Sequence, residues 1–599
     1  MEEKTECLFE VSWEVCNKVG GIYTVIKSKA ESELQLHGEN YFLIGPYFLN
    51  KIIGTFDEKS PPDELMEIFE DLKKEGIICH YGKWLIKGEP KVILIDFINY
   101  TYWTNNIKKE LWDNYKIDSL NTNYFDFDET MIWSYCVGKF IERYKNKFDK
   151  KIVAHFHEYL SGPGLLYLKK NNVKVGTVFT THATILGRTL DMNNIDIYND
   201  IKRINPVEEA YKYGIQAKFL LEKKCAKNCD VFTSVSKITA LECEHFLERY
   251  PDIILENGLN IGKYPSYEEV AVKHILYRNK IKEFLSYYFL PYYTLNLENT
   301  LIFFISGRYE FHNKGIDVTI EALAKLNEAL KKENSEMNIV VFFWIPTDTI
   351  RIKQELIENR NYFKDVQDSI EESLPDIKSR LIRDLIMKEG NGDNGLCSTD
   401  SLLDNSSLFE LKMKILKFLK KGQPSLCTHD LNYDNDAILS SFVKFNLLNK
   451  QDDKVRVIFY PIYLSGADAL LDLNYEEAIM GSHLGIFPSY YEPWGYTPLE
   501  TAALGVPAIT TDVGGFGLFI KDKVDREHPG IFVLNMMNKT RKEHADELFK
   551  ILYGYSMLHK NDRIKNKVEA KRVSSLLDWK KLITNYINAH NLAIEKVYR

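Results

Sequence analysis

No run of this sequence is apolar for long enough to cross a bilayer; the longest, of which NIVVFFWIP (338–346) is one, suit buried strands. A basic excess is missing too. Lys and Arg number 77 against 85 Asp and Glu, a formal net charge of −8, which argues against nucleic acid as the main partner, because phosphate binding needs a basic face. The opening MEEKTECLFEVSWE contains neither a basic segment nor an apolar one, so no secretory signal is read there. Nine scattered cysteines give no disulfide framework and point to a reducing compartment, the cytoplasm. There is no internal repeat and no extended low-complexity tract.

What the chain does have is bulk and alternation. With 599 residues, 45% of them hydrophobic and 27% charged, it can bury a large core and divide into two or more domains. ECLFEVSWE, NKVGG, IYTVIKSKAESELQLHG and NYFLIGP predict a strand–turn–helix–strand unit. The alternation continues through KVILIDF (91–97), KIVAHFHEYLSGPGLLYLKK (151–170), VGTVFTTHAT (175–184) and CDVFTSVSKITALECEHFL (229–247). A second series opens at NTLIFFISGRYEFHNKG (299–315) and resumes at SHLGIFPSYYEPWGYTPLE (482–500). The expected fold is α/β: two Rossmann-like, doubly wound domains of mostly parallel strands facing a cleft, with a seam near 254–269. Residues 351 to about 455 interrupt the second series with long charged helical stretches and a polar run, NGDNGLCSTDSLLDNSS. They read as a helical insertion, either a solvated helix pair or an oligomer seam.

Several short stretches carry chemistry. NKVGG places Lys18, Gly20 and Gly21 at a strand-to-helix turn, where backbone can approach a phosphate. A dinucleotide fingerprint would need G-x-G-x-x-G, and although Glu39 sits near the right distance, the glycine spacing is wrong. GRYEFHNKG offers Arg308 and Lys314 at the mouth of a cleft, cations suited to a diphosphate leaving group, or else a solvated loop. FTTHATILGR carries His182 and Arg188, the histidine reading equally as a satisfied core residue or a ligand contact. His155 and His157 find no third metal ligand at useful spacing and read as strand-end packing; Asp126 and Asp128 read as a solvated loop. In FPSYYEPWGYTPLE, Glu492 is expected in a loop facing the cleft and Glu500 about one turn into a helix. The amides of Gly495, Tyr496 and Thr497 lie between them. Two carboxylates flanking a helix start match the length of a nucleotide sugar: sugar hydroxyls at one end, ribose at the other, phosphates in the middle.

These motifs, together with VAHFHEYLSG, VFTSVSKITALECEHFL, NGLN and LLDWKKL, closely resemble the glycogen synthase family of animals and fungi, over nearly the whole chain. The resemblance implies the GT-B architecture. It divides the chain into an acceptor-side domain at 1–262, a nucleotide-sugar domain at 263–575 with the insertion, and a C-terminal helix at 576–599 that crosses back. It implies retaining transfer of glucose from UDP-glucose to the non-reducing end of an α-1,4-glucan, with no metal or other cofactor. Implied partners are glycogen, a glycogenin-like primer protein and further copies of the chain in a homotetramer. By motif, Arg308 and Lys314 neutralise the departing diphosphate, and His182 and Arg188 approach donor glucose and phosphate with Asn257 nearby. Glu492 orients the transferred sugar, Glu500 binds ribose, Tyr475 stacks on uracil and Gly21 approaches the phosphates. Lys18 stands where relatives carry Lys or Arg. A glucan-binding scaffold without activity and an ADP-glucose-dependent starch synthase are the alternatives. The first would lose the phosphate contacts, and the second group shows KTGGL and EPCGL rather than NKVGGIY and EPWGYTP.

Departures from the pattern bear on control. Glu256 replaces a proline at the hinge, and the chain stops 20 residues after Trp579, so regulation through modified tails is not expected. The helix before LLDWK, arginine-rich and responsive to glucose-6-phosphate in the family, here reads HKNDRIKNKVEAKRVSS. Lys560, Arg563, Lys567 and Lys571 share one face, while only Arg563 and Arg572 keep the guanidinium that grips a phosphate in two places. The expectation is weak activation by glucose-6-phosphate or none.

Overall fold

The computed structural model describes residues 4–122, 125–391 and 402–599. Much of the polar run 391–407 thus lies outside the described residues.

A nine-stranded sheet forms the first half. From one edge its strands are Phe56–Glu58, Ile78–Trp84, Lys91–Asp96, Tyr41–Pro46, Cys7–Val11, Ile152–His157, Gly176–Thr181, Val231–Ser234 and Ile253–Ile254. All pairings are parallel except at the edge, where Ile78–Trp84 runs antiparallel to both its neighbours, Phe56–Glu58 and Lys91–Asp96. Central strands such as Cys7–Val11 are buried on both faces, as parallel sheets covered by helices on each side must be. The second sheet has six parallel strands in the order Val455–Tyr460, Asn338–Trp344, Thr300–Ser306, Leu484–Ile486, Ala508–Thr511 and Ile531–Leu534. TLIFFIS and NIVVFFW pair in register from Thr300↔Asn338 to Ser306↔Trp344, so two almost wholly apolar runs lie side by side at its centre.

Strand order fixes where ligands can enter. In each sheet one early strand, Cys7–Val11 or Thr300–Ser306, has later strands on both sides, and a crevice opens beyond the carboxyl ends at such a reversal. The turn NKVGG, the loop GRYEFHNKG and the loop FPSYYEPWG all leave strands at these two points.

One apolar core runs without a break from one face of the first sheet, through the helices Gly21–His37 and Trp579–Tyr598, to one face of the second. The other faces carry separate cores. The C-terminal helix lies against Gly21–His37 and the strand Gly176–Thr181. Trp579, 1% exposed, donates from its indole nitrogen to Ser28 Oγ at 2.7 Å.

Within 351–455 the structure separates two things. Gln354–Asn391 and Asn405–Phe418 are helices packed on each other. Ala437–Lys444, by contrast, packs on Ile316–Lys332 and contributes Ile438 and Phe442 to the core of the second sheet. The protruding helix pair is therefore shorter than the sequence pattern suggests. Asp126 and Asp128, expected in a loop, stand in the first turn of the helix Phe125–Lys147, where acidic residues favour the positive end; Asp128 pairs with the buried Lys108 at 2.7 Å.

Candidate active site

On the second sheet, the strand Thr300–Ser306 ends in Gly307 and Arg308, and the loop then returns to the helix Ile316–Lys332 through Lys314 and Gly315. Gly315 sits at φ +63°, and a Cβ there would lie 2.1 Å from the carbonyl oxygen of Pro488. Only glycine lets this loop pack on the neighbouring one. The close approach joins their charges: Lys314 Nζ lies 2.6 Å from Glu492 Oε2. Arg308 reaches outward, its side chain 75% exposed and paired with Glu310 at 2.9 Å. Gly495, at φ +110°, turns the chain into the helix Tyr496–Ala503. Ser306, Gly307, Lys314, Glu492, Thr497 and Thr511 line a small cavity of about 30 Å³ in front of that helix start. Anions are stabilised at such an end by free amides and the helix dipole.

Glu500 lies one turn further on. No hydrogen bond or ion pair from the described residues reaches its carboxylate, and burial, reinforced by the charge of Glu476, pushes it up to about 7. Tyr475 hydrogen-bonds Ser306 through its hydroxyl at 2.8 Å, which holds the ring beside the end of the central strand.

The first sheet supplies the opposite wall. Glu158, at φ +65°, begins a helix directly after the strand Ile152–His157. Its Oε1 accepts from the backbone amides of His182 and Ala183, both at 3.0 Å. His182 is 8% exposed, and its Nε2 meets His157 Nδ1 at 2.9 Å while His157 Nε2 meets Glu10 at 2.9 Å. Burial holds His182 well below the usual histidine range, so the ring is neutral. It is both a satisfied core histidine and the last member of a chain that opens on the cleft. Arg188 is exposed on this wall, with the charges of Glu158 and Glu14 facing it.

Asn257 is 3% exposed and its side-chain oxygen has no partner. Lys18, Gly20 and Gly21 lie exposed at the turn, but the turn's amides are not vacant. Glu14 Oε2 accepts from the amides of Gly20 and Tyr23, both at 2.8 Å.

The structure thus gathers Arg308, Lys314, Glu492, Tyr475, Gly495–Thr497 and Glu500 at one switch point, with His182 and Arg188 across the cleft. It also brings in residues that the motifs did not single out. Asp191, on the helix Ile185–Met192, is buried with an unpartnered Oδ2. Burial and then the charge of Glu310 raise it to about 7, and Lys314 and Glu492 also act on it across the domains. Glu242 accepts from Tyr198 at 2.8 Å and, across the cleft, from Tyr491 at 3.2 Å; burial raises it to about 7 as well. Glu14 completes the set. No motif flags these three: Asp191 and Glu242 acquire their surroundings from segments distant in sequence, and Glu14 from a turn that folds back on it.

The basic helix Lys560–Ser574 departs from the stripe read in the sequence. Arg563 and Lys567 face Arg278, and burial with the charges of Arg278 and Arg563 drives Lys567 down to about 7. Burial and Arg563 likewise lower Arg278 to about 10. Lys571 instead donates to the carbonyl of Ala503 at 3.0 Å, capping the helix Tyr496–Ala503, and Arg572 is neutralised by Glu569 at 2.6 Å. Lys571 and Arg572 are therefore not part of this cluster of cations, and Arg278 is.

Glu500 gives a pH signature. Its folded value near 7 exceeds the ordinary 4.5, so the folded protein holds a proton that the unfolded chain releases. That contribution is fully present below about pH 4.5 and is lost as pH rises through 7. Ligand-free Glu500→Gln is expected to be more stable than the parent by about 3 kcal/mol at pH 8 and equal to it near pH 4.5. Denaturant unfolding at the two pH values measures this; an equal difference at both would show that Glu500 does not titrate in this way.

Comparison with known proteins places the geometry. The pattern of the family described as glycogen synthase matches residues 10–599. The chain is 36% identical to liver glycogen [starch] synthase of Homo sapiens over 99% of its own length and 84% of that protein. It is 37% identical to glycogen [starch] synthase isoform 1 of Saccharomyces cerevisiae, over 99% of the chain and 86% of that protein. In fold it matches the catalytic domain of starch synthase IV from Arabidopsis thaliana, a structure bound to ADP and acarbose, with a TM-score of 0.51 and 13% identity, covering 99% of this chain and 100% of that one. The two sheets facing a cleft are thus the GT-B arrangement, and the chain belongs to the glycogen synthase family of glycosyltransferases.

Proposed function

We propose that this chain transfers glucose from UDP-glucose to the non-reducing 4-hydroxyl of an α-1,4-glucan with retention of configuration. The observation that carries this reading is the Lys314–Glu492 pair at 2.6 Å, set between Arg308 and the start of the helix Tyr496–Ala503. Cations and amides there meet the diphosphate as its charge grows, while Glu492 is positioned for hydroxyls of the transferred glucose. Glu500 accepts from ribose, and Tyr475 offers a ring for uracil. Departure and attack occur on one face of the sugar, and the leaving phosphate takes the acceptor proton. Rate then comes from positioning and preorganised charge.

Turnover is expected with UDP-glucose and glycogen together and to fall sharply with ADP-glucose. Lys314→Ala and Arg308→Ala should each lower kcat by roughly 100-fold. Glu492→Gln should depress kcat far more than donor affinity, because its contacts strengthen as the sugar flattens. Near-parental turnover in both cation variants would overturn the reading.

The cluster of Arg278, Arg563 and Lys567 supports a second assignment, a site for the phosphate of glucose-6-phosphate. Expectation of weak activation rested on two guanidiniums in the basic helix, Arg563 and Arg572, of which Arg572 is taken by Glu569. Arg278, from the helix Tyr267–Phe289, supplies another, and three partly desolvated cations with no carboxylate among them repel one another until an anion arrives. A glucose-6-phosphate titration of UDP-glucose turnover is expected to show activation that Arg278→Ala and Arg563→Ala abolish. A flat titration with the parent chain refutes it.

The helix pair supports a homotetramer. Leu374, Leu385, Ile386, Phe409 and Leu416 are each more than half exposed on it, a large apolar stripe for an otherwise charged surface. Light scattering is expected to give four chains per particle, and fewer when residues 354–418 are replaced by a short linker; a monomeric parent chain would end this reading.

A further inference from the structure

Away from the cleft, in the first domain, two sets of three metal-ligating atoms lie within 4.8 Å of one another: Glu10, His155 and His157, and Glu33, His37 and His590. They differ in what already occupies them. Glu10 is satisfied by the protein, with Lys29 at 2.7 Å, His157 at 2.9 Å and the Tyr41 hydroxyl. In the second set, Glu33 Oε2 and His37 Nε2 are buried 3.5 Å apart with no shorter contact, and His590 Nδ1 is buried with no hydrogen-bond partner among the described residues. Glu33 and His590 are wholly buried, and the side chain of His37 is 1% exposed. Three buried polar atoms converging within 4.8 Å, with only the long Glu33–His37 contact between them, carry a cost unless something else binds them.

The surrounding hydrogen bonds fix what these atoms are. Thr233 donates its hydroxyl to the carbonyl of Phe179 at 3.2 Å and accepts from Thr180 at 2.6 Å. Thr180 therefore accepts from His155 Nε2, at 2.6 Å. His155 Nδ1 is then a bare lone pair, and it accepts from His590 Nε2 at 3.2 Å. His590 Nδ1 is consequently a bare lone pair too, aimed at Glu33 and His37. This is the arrangement that orients metal-bound histidines: the far ring nitrogen donates to a second group and so fixes the tautomer. Glu33 and His37 stand four residues apart on one face of the helix Gly21–His37, with Glu33 Oε2 3.5 Å from His37 Nε2. Lys29 takes the other carboxylate oxygen of Glu33 at 2.8 Å. The charges leave room for a cation, because the two carboxylates of Glu10 and Glu33 outnumber the one ammonium of Lys29.

We propose that Glu33, His37 and His590 bind a divalent transition-metal ion, zinc by preference, which staples the C-terminal helix Trp579–Tyr598 to the helix Gly21–His37. Two imidazoles and one carboxylate suit zinc, with a water completing four-coordination. The ion is structural; the nucleotide-sugar site lies at the other sheet.

Metal analysis of tag-free protein purified without chelator is expected to give one zinc per chain. After stripping with dipicolinate, added Co²⁺ is expected to restore one equivalent with the intense visible absorption of tetrahedral cobalt, and zinc to raise the melting temperature. The double variant His37→Asn/His590→Gln should lose the equivalent, and His155→Ala should weaken Co²⁺ binding roughly 10- to 100-fold. Metal retained undiminished by the double variant means an adventitious ion only and overturns the proposal. Should the double variant fail to fold, the parent chain alone decides: stripped parent protein that gives no cobalt absorption and no zinc-dependent thermal shift refutes the site.

Discussion

Lys29 has no contact with solvent, and the first domain is arranged around that fact. An ammonium buried without partners would cost many kcal/mol, so the fold must surround it. Glu10 from the central strand and Glu33 from its own helix do so at 2.7 and 2.8 Å, and the ring of Tyr586 lies 4.1 Å from it. Strand, first helix and C-terminal helix are thereby bound to one charge. Removing one partner of such a cluster typically costs about 3–5 kcal/mol, so the three elements are held together more firmly than their apolar contact alone would hold them. The same cluster extends to the cleft. Glu10 holds His157, which holds His182, so the orientation of a residue on the cleft wall is traceable to a lysine with which it shares no contact.

The cleft shows the opposite condition, charge that the protein leaves incompletely balanced. Glu158, Asp191, Glu242 and Glu500 are all raised to about 7, burial being the first cause in each. At neutral pH these carboxyls are partly protonated. A diphosphate entering among fully ionised acids would be repelled, whereas a half-protonated wall repels it less and offers donors as well as acceptors to sugar hydroxyls. Lys314 sits within this wall already paired to Glu492, so its position is set before a ligand arrives. Preorganisation of that kind avoids reorganisation when charge moves.

Much of the fold was legible because its signals are local. Apolar runs of strand length, glycines at turns and the polarity of the segment from Phe487 to Glu500 placed both sheets and the loops at their carboxyl ends. Gly315 closes the motif GRYEFHNKG, but its contact with Pro488, which joins residues 173 positions apart in sequence, was not readable. Where sequence failed, the cause was tertiary approach. Arg278 sits in a helix whose charge pattern is ordinary, and it acquires meaning only because residues 563 and 567 pack against it. Lys571 belongs by spacing to the basic stripe, yet its ammonium turns to the carbonyl of Ala503. Asp126 and Asp128 looked like loop residues because acidic side chains in a first helical turn resemble a polar loop until the following apolar spacing is weighed. Glu14, four residues before Lys18, was read only as part of a strand, and it fills the amides that a phosphate was expected to use.

That last contact bears on how the two domains work together. Across the cleft the polar links are few: Tyr491 to Glu242, Ser236 Oγ to the carbonyl of Pro493 at 2.7 Å, and the amide of Asn538 to Asn199 at 2.7 Å. Near the seam, by contrast, apolar packing is continuous, and Leu259 and Leu577 join by a backbone hydrogen bond at 2.9 Å. A firm hinge and a lightly bonded rim favour rotation about the seam over separation of the domains. On the proposed reading, closing the cleft would bring the turn of Gly20 towards phosphates bound at the second sheet, and the carboxylate of Glu14 stands on amides of that turn. A diphosphate brought to this turn would compete with Glu14 for the same donors. Burial raises its pKa while the two amides hold its charge, so the donors of this turn are held by an acid whose charged form the surrounding protein disfavours.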